Sequence, residues 1–283
     1  MAQRFELLID AGELHKQLSG AHPPIVADCR FSLADANAGE TQYRQGHIPG
    51  AQYLHLDRDL AAPRGVSGGR HPLPGAAAFQ AVMRRIGLDS GAALVAYDDS
   101  RGSYAARLWW LARYFGHTQV RILDGGIAAW RNAGYGIGAD EPAAGRTGNF
   151  VAREQYAMVL DYTAVRRECA PGERLLVDAR EPRRFAGEEE PIDPRAGHIP
   201  GAINRPWMEA VDANGFFLPA EAQAARWSGL GEASEVVAYC GSGVTACVNL
   251  FSLELAGRAG ARLYAGSWSD WCSRPDAAIA TGS

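Results

Sequence analysis

Cys240 opens the run Cys240-Gly241-Ser242-Gly243-Val244-Thr245-Ala246, directly after the apolar stretch Val236-Val237-Ala238-Tyr239. The stretch reads as a buried strand, and a helical pattern begins near Thr245. The cysteine is therefore expected in a strand-to-helix loop. Gly241 and Gly243 let the backbone approach a ligand closely. Successive N–H groups of so short a loop can turn inward as an anion nest, and the helix start adds partial positive charge. Gly241, Gly243, Val244 and Thr245 would line the bound group, with the Ser242 and Thr245 hydroxyls as further hydrogen-bonding groups. These features favour a thiolate at Cys240 and the handling of an anion carried on sulfur. Cys29, Cys169 and Cys272 have no such surroundings and read as packing residues, as does Cys247 inside the helix. The five cysteines are widely spaced with no C-x-x-C pair, so neither structural zinc nor a disulfide framework is expected. A reducing, cytoplasmic setting fits that usage.

The elements that must position Cys240 occur twice. Ile25-Val26-Ala27-Asp28-Cys29-Arg30 is matched by Leu175-Leu176-Val177-Asp178-Ala179-Arg180, and Gly46-His47-Ile48-Pro49-Gly50-Ala51 recurs identically from Gly197 to Ala202. Leu73-Pro74, Val95-Ala96-Tyr97 and Asp124-Gly125-Gly126 recur as Leu218-Pro219, Val237-Ala238-Tyr239 and Ala265-Gly266-Ser267. The order is kept while the offset falls from 150 and 151 residues through 145 and 142 to 141, as small deletions would produce. Copies of this length are domain-sized rather than solenoid-sized. Two tandem α/β domains are expected, over residues 1–140 and 152–283, with a linker at about 138–152 where turn formers gather. Short apolar runs alternate with helical patterns, Asp10 and Asp161 read as helix N-caps, and the sheets should be mostly parallel with helices on both faces. Asp98 stands where Cys240 does in the second copy, and Asp99-Ser100-Arg101-Gly102-Ser103-Tyr104 does not read as an anion cradle. Only the second copy should be chemically active. Asp28 and Asp178, at strand ends, read as structural.

The formal net charge of −4 argues against nucleic acid or a membrane surface as partner. No run approaches a membrane span, and the N-terminal residues lack the apolar core of a secretory signal. Lys16 is the only lysine, so an anion site is expected to use arginine's planar fork.

The paired His-Ile-Pro-Gly motifs, Arg184-Phe185-Ala186-Gly187, Asp124-Gly125-Gly126 and above all Cys240 to Ala246 are similar to those of the rhodanese superfamily. Over both halves the chain resembles a tandem-domain sulfurtransferase. The resemblance implies two rhodanese-like domains and no metal or cofactor. It implies a cysteine that takes a sulfane sulfur as a persulfide and passes it to cyanide, a small thiol or thioredoxin. Cys-Gly-Ser-Gly-Val-Thr, without charge, is the form that 3-mercaptopyruvate enzymes tend to carry, whereas thiosulfate enzymes tend to place basic residues there. The two donors stay open, with mercaptopyruvate favoured over thiosulfate. Mercaptopyruvate enzymes use two upstream arginines for the donor carboxylate. Arg184 matches the first, while Glu190-Pro191-Ile192 holds none and Arg195 is a displaced substitute for the second. A serine–histidine–aspartate relay is implied at Ser242, His47 and Asp35, and Tyr104 is a candidate to line the substrate cleft. The paired copies suggest a monomer.

Three other classes are weighed, of which a cysteine hydrolase with a Cys–His pair has the residue types but no local signature. A phosphatase would place arginine five residues past the nucleophile plus one, and that position is Ala246. A non-enzymatic binding module would have lost the cysteine, as the first copy has.

Overall fold

A computed structural model gives the fold and describes residues 6–139, 146–168, 174–230 and 235–282. Cys169 and part of the expected linker lie outside the described residues. The chain forms two compact units. The first comprises Met1–Ala61, Pro74–Gln155 and Val211–Phe217; the second comprises Ala62–Leu73, Tyr156–Ala210 and Leu218–Ser283. Each unit thus includes a short segment from the other half of the sequence. In both halves that segment ends at the recurring Leu-Pro.

The first unit is built on strands β1 (Leu8–Ile9), β2 (Ile25–Asp28), β3 (Gln52–Tyr53), β4 (Leu94–Tyr97) and β5 (Val120–Leu123). The second has β6 (Val159–Leu160), β7 (Leu175–Asp178), β8 (Ile203–Asn204), β9 (Val236–Tyr239) and β10 (Arg262–Tyr264). The sheet orders are the same, β1-β5-β4-β2-β3 and β6-β10-β9-β7-β8, and every pairing is parallel. The central strands β4 and β9 are buried along their whole length, which is why they read as unbroken apolar runs. Asp10 accepts the Glu13 N–H at 2.8 Å and Asp161 that of Ala164 at 2.8 Å, so both cap helices as expected.

The repeated motifs grip one another. At the end of β2 the Arg30 guanidinium binds Asp28 and the Gly46 carbonyl, the latter at 2.9 Å. At the end of β7 Arg180 binds Asp178 at 2.6 Å and the Gly197 carbonyl at 2.7 Å. The Tyr97 and Tyr239 hydroxyls accept the N–H groups of Ile48 and Ile199. All four charged groups are buried, where an unpaired partner would be costly. The Asp-x-Arg and Gly-His-Ile-Pro-Gly repeats are therefore fastenings that tie a turn to the sheet edge. Asp28 and Asp178 are structural, as their strand-end position suggested.

The helix Ala246–Leu255 follows β9 and packs on β9 and β10. Of its ten residues only Glu254 is not buried, so it is a core helix, apolar all round. Each buried large apolar side chain there stabilises the unit by about 1.5–3 kcal/mol. Its two polar exceptions are satisfied: Asn249 binds Arg226 and the Arg205 carbonyl, and Ser252 accepts the Trp227 indole N–H at 2.8 Å. A rigid β9–helix pair is thereby in place on either side of the loop that carries Cys240.

Candidate active site

Cys240 is the first residue beyond β9, at the carboxyl edge of the second sheet, where open α/β sheets bind ligands. The loop is pinned from the neighbouring turn. Cys240 N–H donates to Ser267 Oγ at 3.1 Å, and the Cys240 and Gly241 carbonyls accept the N–H groups of Trp268 and Ser269, each at 2.9 Å. Ser267 itself adopts φ 54°, a strained conformation for a side-chain-bearing residue, and its Oγ is also bonded to the Tyr264 carbonyl. Gly243 has φ 77°, and a Cβ there would lie 2.4 Å from the Ala265 carbonyl oxygen. Only glycine fits on both counts. Its N–H then points at Cys240 Sγ, 3.2 Å away, the inward-facing donor the sequence suggested. Val244 is buried beside it, and Thr245 is the N-cap position of the following helix without a side-chain capping bond.

Two guanidiniums flank this loop. A Cβ on Gly241 would come 2.9 Å from Arg70 Nη2 and 3.6 and 3.7 Å from the terminal nitrogens of Arg184. Arg184 is therefore where the sequence placed it. The other arginine beside Gly241 is Arg70, from the segment 62–73 that folds with this unit. The Arg195 fork is spent on the backbone carbonyls of Arg274 and Ala277, at 3.1 and 3.3 Å. Both site arginines carry acidic partners: Arg70 pairs with Asp193, and Arg184 with Glu190 at 2.7 Å.

The same segment supplies the histidine. Ser242 Oγ pairs with His71 Nδ1 at 2.7 Å, and both side chains are buried. Three backbone anchors hold His71 there. Gly68 N–H donates to Asp270 Oδ1 and Arg70 N–H to Ser269 Oγ, both at 3.0 Å, and Ala62 N–H to the Pro72 carbonyl at 3.0 Å. Gly69, at φ 77°, has the Gly266 carbonyl 2.3 Å from where a Cβ would be.

His47 belongs to the first unit, in its Gly-His-Ile-Pro-Gly turn. Its Nδ1 bonds the Tyr43 carbonyl at 2.8 Å, and its ring stacks on Tyr43 at 4.0 Å. His198 does the same with Phe185, at 2.8 and 3.8 Å, so the duplicated histidine serves the duplicated turn. Asp35 is exposed in the first unit and accepts the Asn37 N–H at 3.0 Å in a local turn, with no bond to His47. Tyr104 is buried with its ring edge-on to Phe31, and burial and the nearby Asp98 push its hydroxyl up to about 12. The missed residues Arg70 and His71 left one signal, the Leu73-Pro74 repeat: the equivalent segment before Leu218-Pro219 reads Gly215-Phe216-Phe217, without charge.

The first-copy loop also departs from expectation. It is a cradle, filled by its own first residue. The Asp98 carboxylate accepts N–H bonds from Ser100, Gly102, Tyr104 and Ala105, all at 2.8–2.9 Å. Burial outweighs these bonds and pushes its pKa up.

Among the remaining thiols, burial pushes Cys29 well up and Cys272 up to about 11, which disfavours the thiolate at both. Cys247 Sγ faces the Gly243 carbonyl at 3.4 Å from within the buried helix.

The rhodanese-like domain family matches residues 10–133 and 162–274. The chain belongs to the rhodanese family. It is 44% identical over 282 residues to the "Probable 3-mercaptopyruvate sulfurtransferase" of Pseudomonas aeruginosa, covering 97% of this chain and 98% of that one. The mouse thiosulfate sulfurtransferase is 30% identical over 268 residues, 91% of this chain and 88% of the relative. The crystal structure of SseA from Escherichia coli, described as a 3-mercaptopyruvate sulfotransferase of rhodanese fold, superposes with a TM-score of 0.82 at 30% identity, covering 93% and 98% of the two chains. Family, fold and full-length relatives make this rhodanese-family chain a sulfurtransferase acting on small-molecule sulfur donors and acceptors. No helix among the described residues is long and apolar enough to cross a membrane.

Proposed function

We propose that Cys240 takes sulfur from 3-mercaptopyruvate, with thiosulfate as a second donor, and passes it to a thiophilic acceptor. The observation that carries this reading is the Ser242–His71 pair beside Cys240, because only one of the two donors needs a proton. With mercaptopyruvate, the Cys240 thiolate attacks the donor sulfur, an S–S bond forms and the C–S bond breaks. The electron pair leaves with carbon as the pyruvate enolate. The donor's S–H proton, moved through Ser242 and His71, ends on that carbon, leaving pyruvate and a Cys240 persulfide anion. With thiosulfate the leaving group is sulfite, which takes no proton. The Arg70 and Arg184 forks beside Gly241 suit the donor's carboxylate, and inward N–H groups such as that of Gly243 suit the persulfide. An acceptor such as cyanide, a small thiol or thioredoxin then attacks the outer sulfur, and the S–S bond breaks to restore the thiolate.

Unit one serves as a scaffold in this reading, since Asp98 stands where a nucleophile would and fills the cradle itself. A cytoplasmic setting accords with the free thiols Cys29, Cys240, Cys247 and Cys272, and a monomer with the two copies of the fold in one chain. The test is intact-mass measurement after incubation with each donor separately. One added sulfur atom is expected, absent in Cys240→Ser; no added mass with either donor would overturn the reading.

A further inference from the structure

The anion clamp of this site is already neutralised before any donor arrives. Arg70 Nη1 pairs with Asp193 Oδ1. Arg184 Nη2 lies 2.7 Å from Glu190 Oε1 and 3.6 Å from Asp193 Oδ2. Glu190 is shared in turn with Arg180, at 3.1 Å, which also holds Asp178. The Asp193 and Glu190 side chains are only 4% and 3% exposed, so solvent does little to screen them. Three guanidiniums thus face three buried carboxylates, and the charges cancel. Arg184 has a further acidic neighbour, Glu181, at 3.8 Å. Asp193 is the odd member. Its Oδ2 is buried and accepts no hydrogen bond among the described residues, although the carboxylate sits between the two arginines that line Gly241. Packing that leaves a buried carboxylate oxygen unbonded has a stability cost.

We propose that Asp193 is a specificity-determining residue: its fixed negative charge between Arg70 and Arg184 selects donors bearing one anionic group over dianions. This rests on the donor reading above. The Nη2 of Arg70 and both terminal nitrogens of Arg184 face the loop and can hold one carboxylate. A dianion brings a second charge into a poorly screened site with no excess positive charge to receive it. The selection is repulsive, a device that lowers the affinity of the wrong ligand rather than raising that of the right one.

The experiment compares kcat/KM for thiosulfate and for 3-mercaptopyruvate in the full chain and in Asp193→Asn, which keeps shape and removes charge. The ratio is expected to shift toward thiosulfate by about tenfold. Asp193→Glu, which restores the charge, is expected to bring it back. A ratio within about twofold of wild type, or a shift toward mercaptopyruvate, would overturn the proposal. If Asp193→Asn does not fold, the wild-type enzyme decides. Pyruvate, a monoanion, should inhibit mercaptopyruvate turnover at lower concentration than sulfate, a dianion; the reverse order overturns it. Wild-type protein that turns over neither donor would refute the donor reading instead, so the two failures are distinguishable.

Discussion

His71 and His47 show how one residue type is sorted by its neighbours. Each copy of His-Ile-Pro-Gly uses its histidine to stack on an aromatic ring and bond a backbone carbonyl. His71, which has no histidine as its counterpart in the other copy, faces a hydroxyl at 2.7 Å instead. In the mechanism proposed above, a proton route through His71 serves mercaptopyruvate and not thiosulfate. His71→Ala should therefore lower kcat for mercaptopyruvate by about 10²–10³ while changing thiosulfate turnover little, as steady-state kinetics with both donors would show. His47→Ala should produce no such split between donors. Equal losses with the two donors in His71→Ala would point to a purely structural role for that histidine.

The strand-to-helix loop after the fourth strand of each sheet, after β4 and β9, is the element on which the two copies diverge. Both loops turn N–H groups inward, because both connect a buried strand to a helix packed on the same sheet. In the second unit the thiol has the Gly243 N–H at hand. In the first, a carboxylate supplied by the chain takes four donors. Asp98→Ala should leave those buried donors unpaired and cost about 1–3 kcal/mol, measured by urea unfolding. Its pH signature has a definite sign. The folded-state pKa is raised, so between the ordinary aspartate value and that higher one the folded state holds the extra proton. Stability from this residue falls as pH rises through that window, and the slope should vanish in Asp98→Ala.

Across the molecule, the segments 62–73 and 211–217 each fold with the unit formed mainly by the opposite half of the sequence. In the second unit the segment delivers Arg70 and His71. In the first it delivers Phe216 and Phe217, packed on Gly125 and Gly102. The same duplicated feature is thus polar and chemical in one unit, apolar and structural in the other. The acid–arginine network of the second unit has the opposite pH sign to Asp98. Burial raises the Glu190 carboxyl, but the Arg184 hydrogen bond and charge and the N–H groups of Ile192 and Asp193 more than offset it and leave it below the usual range. Its stabilisation is complete above the ordinary glutamate value and is lost as pH falls through the lower folded value. Urea unfolding followed from about pH 6 to about pH 3 should show that loss in wild type and a flatter profile in Glu190→Gln.

The sequence by itself determined the duplication, the parallel α/β architecture and the place of Cys240. Those features are written in local pattern: apolar runs of strand length, repeated turn motifs and glycines at positions such as Gly243 that no other residue could occupy. It also placed Arg184, five residues beyond Ala179 in a segment that stays with its own sheet. Tertiary structure alone decided which residues from far away in the chain meet around the Cys240 loop. Ser242 and His71 are 171 residues apart, and Arg70 and Asp193 are 123 apart. No periodicity or spacing rule links such pairs, because the segment 62–73 has no regular secondary structure and is held by backbone bonds to Asp270 and Ser269. A repeated motif in the sequence marked His47, since repetition is visible along the chain. The histidine that meets Ser242 is fixed by packing, which repetition does not record.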